Sequence, residues 1–159
     1  ELLNTTKNWF DNGVSFSALR VGVLPPSGAD FLKNTAAYTA YFFNGQVLPK
    51  SSELDWSIEI GEDTHLVLQL FQFGHSNRVW DKFVFNQKEY ADGGCNIYRT
   101  SKIINECHQK LIDAHPKYVF NDIKKFRTKK FNDENILKLK IKWNKAYKDS
   151  KHSTLEKFI

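Results

Sequence analysis

Apolar and polar residues alternate through much of the first hundred positions, and the alternation predicts strands. Val14, Phe16 and Ala18 share one side of a segment that runs to Leu24 and stops at Pro25-Pro26-Ser27-Gly28, since two prolines cannot continue a hydrogen-bonded ladder. Ala37 to Phe43 and Gln46 to Leu48 flank Asn44-Gly45, a residue pair suited to the positive φ of a type I′ turn, so a hairpin is predicted there. Leu54 to Ile60 puts Trp56, Ile58 and Ile60 opposite Ser57 and Glu59, and Gly61-Glu62-Asp63 reads as the turn that follows. Leu66 to Phe71 is apolar on nearly both faces, which predicts a central strand ending at Gly74. Val79 to Phe85 is a further strand, followed by a polar stretch through Asp92-Gly93-Gly94. The connections are short and show no helical period, so antiparallel pairing is expected.

The period changes at Thr100. Ile103, Ile104, Cys107, Leu111 and Ala114 recur at helical intervals, Thr100 or Ser101 can cap the start, and His115-Pro116 supplies the stop. Val119, Ile123 and Phe126 predict a shorter second helix that turns Lys124, Lys125 and Arg127 outward. Residues 135–147 fit two periods. As a strand they place Leu137, Leu139, Ile141 and Trp143 opposite Lys138, Lys140, Lys142 and Asn144. As a helix they cluster Ile136, Leu139, Trp143, Ala146 and Tyr147, but Leu137 and Ile141 then fall on the polar side. The strand leaves fewer apolar residues unexplained. The expected fold is therefore α+β: one domain over 1–159, an antiparallel sandwich or open barrel of five to seven strands, with one or two helices in the C-terminal third.

Charge is divided along the chain. Residues 1–98 hold 7 Lys+Arg against 11 Asp+Glu, whereas residues 99–159 hold 16 against 7. Such asymmetry points the last third at something anionic, whether an anionic macromolecule such as nucleic acid or an acidic protein surface. Lys124, Lys125, Arg127, Lys129 and Lys130 with Lys138, Lys140 and Lys142 are the candidate contacts. Lys outnumbers Arg fourteen to two in this region, which favours diffuse, salt-sensitive contact over bidentate base reading.

Composition adds a compartment. Cys95 and Cys107 are the only two cysteines, and a bridge between them would suit an oxidising compartment, while two buried thiols suit a reducing one. The absence of Met at position 1 gives the expectation that the chain starts after a removed segment, and the expected location is secreted or extracytoplasmic. No apolar run approaches the roughly 18 residues of a membrane span, so no transmembrane segment is expected.

Motifs for chemistry are few. CxxC, HExxH, EF-hand and P-loop frames are missing, and Glu62-Asp63 with His65 is better read as turn carboxylates, so neither a metal nor another cofactor is expected. Lys151-His152-Ser153-Thr154 brings a base, a hydroxyl and a cation together, with His75 or His108 as a second titrating group. Among the aromatics, Trp80 beside Asn77, Arg78 and Asp81 is the one expected at the surface, as a stacking or anchoring contact. These residues together predict a small secreted binding or effector protein with no enzymatic activity. Its rivals are a metal-independent RNase-like toxin domain using His152 and Lys151, and a carrier or lectin-like module whose aromatics line a cup for an apolar or sugar ligand.

Overall fold

A computed structural model describes residues 1–22, 24–86, 99–126 and 136–155, with side chains omitted for 123–126 and 151–155. The chain divides into two compact units, one of residues 1–55, 63–87 and 143–159 and the other of 56–62 and 88–142.

The first unit is built on a four-stranded mixed sheet. Its strands are β1 (Phe16–Val21), β2 (Phe31–Lys33), β3 (Thr39–Phe43) and β4 (Asn77–Phe85), in the spatial order β2-β4-β1-β3. β1 pairs antiparallel with β3 but parallel with β4, and β2 pairs antiparallel with β4. The expectation of a wholly antiparallel sheet is thus corrected, and the described strands close no barrel. The cause is one misread segment. Residues expected to form a central strand are helix α2 (Glu62–Gln72), which lies on the connection between the two parallel strands. Its buried Thr64, Val67, Leu68 and Phe71 follow the helical period, and Gly61-Glu62-Asp63 opens the helix instead of turning between strands.

Two other expectations fail locally. Gln46 to Leu48 forms no return strand, because Asn44 makes an Asx turn in which its Oδ1 accepts the Gln46 amide. The positive φ that a type I′ turn requires is absent at Asn44-Gly45; among the described residues positive φ is found at Gly13, Gly28, Gly61 and Gly74 and at Asn34 and Ala40. Residues 54–60 are irregular, following a 3₁₀ turn at Ser51–Glu53, and Trp56 is 57% exposed while Ile58 and Ile60 are buried.

Helix α1 (Leu2–Asp11), not anticipated, covers one sheet face through Trp9, which packs against Phe31 and Trp80 at ring distances of 5.0 and 4.4 Å. Trp80 is only 3% exposed and its Nε1–H donates to Thr6 Oγ1, so the expectation of a surface tryptophan is overturned. Two of its polar neighbours, Asn77 and Asp81, are buried as well, although their chemistry suggests a surface. Asp81 is buried, accepting from the Ser27 amide and hydroxyl and pairing with Arg20 at 3.0 Å. Burial alone would raise its pKa, but Ser27, Arg20 and the Gly28 amide outweigh that and hold it below the ordinary carboxylate value. On the other face, buried Phe16 meets Phe71 of α2, and Trp143 and Tyr147 of helix α4 (Trp143–Leu155) close over Phe71.

The second unit packs helix α3 (Ser101–Ala114) on an antiparallel pair, β5 (Val119–Phe126) and β6 (Ile136–Ile141). Thr100 caps α3 by accepting from the Ile103 amide, and Ile104, Cys107 and Leu111 form its buried stripe, as their spacing predicts. β5 replaces the expected second helix. Its Val119, Ile123 and Phe126 satisfy a helical interval by coincidence, whereas pairing with β6 decides the backbone. Of the ambiguous stretch at 135–147, Ile136–Ile141 is strand and the residues from Trp143 are helix, while residue 135 lies outside the described residues.

Candidate anionic-partner surface

The β5–β6 pair presents lysines by register. Phe120 faces Lys140 and Asp122 faces Lys138, so these four share one side of the ribbon. Lys138 and Lys140 are exposed, while Ile136, Leu137, Leu139 and Ile141 are buried or half-buried. Lys142 follows beyond the strand, exposed, with its Nζ 4.5 Å from the centre of the Phe120 ring, a cation–π contact that holds the ammonium over the same side.

Helix α3 anchors this ribbon from its edge. Asn105 Oδ1 accepts from the Leu137 amide at 2.8 Å, and His108 Nδ1–H donates to the Leu137 carbonyl at 2.7 Å. Two side chains thereby occupy both main-chain groups of an edge-strand residue. Burial lowers the His108 pKa, with the carbonyl bond opposing in part.

Lys124 and Lys125 lie on β5, but their side chains, like Arg127, Lys129 and Lys130, fall outside the described residues. Lys151 and His152 belong to α4, again without described side chains. Cys107 is a buried free thiol, no disulfide occurs among the described residues, and Cys95 lies outside them.

The four described histidines are engaged separately. His65 Nε2 lies 3.1 Å from Asp55 Oδ2, and His115 is buried at the end of α3. His75 Nδ1 lies 3.2 Å from Ser15 Oγ, and burial lowers the imidazole pKa. That pair has the elements of an activated hydroxyl, yet Ser15 is buried, which denies a substrate access to it. No group of three or more His, Cys, Asp or Glu among the described residues could hold a metal, and none of the described helices is long and apolar enough to cross a membrane.

One site was missed in the sequence. A polar cleft of about 250 Å³ opens where α1 ends and β2 and β4 meet, lined by Asn12, Lys33, Asn34, Ser76, Arg78 and Tyr147 among others. Lys33 and Arg78 are direct cross-strand partners. The Arg78 guanidinium lies 4.7 Å from the Phe31 ring and 5.6 Å from Trp9, and its Nε is buried without a hydrogen-bond partner. Beside it, buried Asn77 binds Thr35 twice, accepting from its amide at 3.1 Å and donating to its carbonyl at 2.8 Å. Asn34, held at φ +47°, accepts from the Asn77 amide through Oδ1. Only the β2–β4 register brings the two cations together, and no short motif carries that information.

Similarity gives no independent guide: no family model matches the chain, and searches of curated proteins and of solved structures find no match.

Proposed function

We propose that the protein is a non-enzymatic binding or effector module that meets an anionic macromolecule through the lysine side of the β5–β6 ribbon. The observation that carries this reading is the exposure of Lys138, Lys140 and Lys142 together on one side of a ribbon that shares that side with Phe120 and Asp122, while Val119, Leu137, Leu139 and Ile141 lie on the other beside Asn121. Lysines act as strongly hydrated point charges, so the contact is with backbone charge and not with sequence. An extracytoplasmic setting belongs to the same reading and is tested by intact mass with and without reductant, which reports whether Cys95 and Cys107 are bridged.

The test is retention on heparin and binding to a mixed-sequence oligonucleotide as salt is raised. Replacing Lys138, Lys140 and Lys142 by Gln is expected to lower the salt dependence of log K by about 2–3, close to one for each phosphate no longer neutralised. Equal retention of parent and variant, or none at low salt, would overturn the reading. Total RNA incubated with the protein in EDTA is expected to stay intact. Cleavage abolished by His152→Ala would replace binding with catalysis.

A further inference from the structure

We propose that the cleft between the end of α1, β2 and the start of β4 binds a phosphate group, as the free ion or as the head of a small phosphomonoester. This inference is independent of the lysine ribbon.

Like charges placed directly opposite on adjacent strands destabilise a sheet, and Lys33 opposes Arg78 in register. Among the described residues no carboxylate lines the cleft to offset them. The helix end nearby does not serve either, since the last carbonyls of α1 accept the amides of Asn12, Gly13 and Val14. Aromatic faces hold Arg78 in place, so the guanidinium is oriented before any ligand arrives.

Charge and size name the ligand. A phosphate monoester carries about −1.5 to −2 at neutral pH, which two cations match, whereas a carboxylate supplies one charge. The cleft of about 250 Å³ is smaller than the roughly 300–1,000 Å³ of sites for drug-sized molecules, so it admits a head group and few further atoms. Asn34 spends its Oδ1 on the Asn77 amide, which leaves its Nδ2 as an additional donor at the rim.

The experiment titrates the full chain with inorganic phosphate at low ionic strength, read by calorimetry and by the fluorescence of Trp9, which contacts Arg78. Saturable one-site binding is expected. Lys33→Gln, at an exposed position, should weaken it about tenfold or more, as befits removal of one charge-assisted bond. Arg78→Lys keeps the charge and loses the planar fork, and should weaken binding as well. The Lys138, Lys140 and Lys142 to Gln variant should bind phosphate like the parent.

Glycerol phosphate distinguishes the two sources. Binding at least as tight as phosphate assigns the cleft to a phosphorylated small molecule; its exclusion while phosphate binds assigns the cleft to the free ion. Absence of saturable binding at millimolar phosphate, unchanged binding in Lys33→Gln, or loss confined to the ribbon variant would each overturn the proposal. Should Arg78→Lys fail to fold, the comparison of Lys33→Gln with the parent decides.

Discussion

Asn77 is the residue whose removal should be felt most widely in the first unit. It is 1% exposed, and among the described residues its side-chain amide alone supplies side-chain hydrogen bonds to the main chain of Thr35, at 3.1 and 2.8 Å. Asn77→Ala would strand the Thr35 N–H and C=O. An unsatisfied buried group costs about 1–3 kcal/mol, and Thr35 is half-buried, so the lower part of that range applies to each, giving about 2–4 kcal/mol in all. With a urea m value of about 2 kcal/mol/M, the middle of the usual range, the unfolding midpoint should fall by roughly 1–2 M, followed by tryptophan fluorescence.

Asn77→Asp sharpens the test, because it keeps the acceptor for the Thr35 amide but turns a second oxygen toward the Thr35 carbonyl. At neutral pH this variant should be less stable than the alanine. Its buried carboxyl has a raised folded-state pKa, so its deficit shrinks as pH falls and the protonated oxygen donates to the carbonyl. A loss under about 0.5 kcal/mol for the alanine, within the range of neutral surface changes, would refute the reasoning. So would equal stability of the two variants at neutral pH.

Two further outcomes follow from groups elsewhere. Burial lowers the pKa of His75 and of His108 below 6.5, so the unfolded chain binds these protons more readily. Stability is then full above 6.5 and lost as pH falls through the folded-state values; Asp81, held below 3.8, adds a second loss at lower pH. Melting temperatures that rise as pH is lowered from neutral would contradict this, and His108→Gln should flatten the first loss. Gly28→Ala and Gly61→Ala form a matched pair, both at left-handed φ (+85° and +87°). The first meets open space and should cost about 1–2 kcal/mol. The second also places a Cβ 2.9 Å from Leu111 Cδ1, adding about 1–3 kcal/mol of overpacking. Denaturant midpoints that coincide would show that the Leu111 contact carries no energy.

What the sequence disclosed was whatever local period determines. β1, β4 and α3 follow from alternation, helical spacing and a Thr cap, and the outward lysines of β6 follow from its period of two. α2 was misread because Leu66 to Phe71 offers almost no polar residue to fix a period. α1 was overlooked although Leu2, Thr6 and Trp9 keep helical spacing and Lys7 pairs with Asp11 four residues on. Non-local pairing hid the rest. β5 is a strand because β6 lies beside it, and the facing of Lys33 and Arg78 depends on two strands 45 residues apart in the chain. Polar residues with buried roles, Asn77 and Asp81 above all, look like surface when only their chemistry is read.

The discontinuity of the first unit bears on how the chain is made. Phe71 receives its last aromatic cover from Trp143 and Tyr147, which a ribosome delivers only after the whole of 88–142 has emerged. Until then an apolar surface beside α2 waits open to water. Nascent chains whose residues 143–155 have not yet left the ribosome should therefore recruit chaperones or aggregate, and released chains that include them should not.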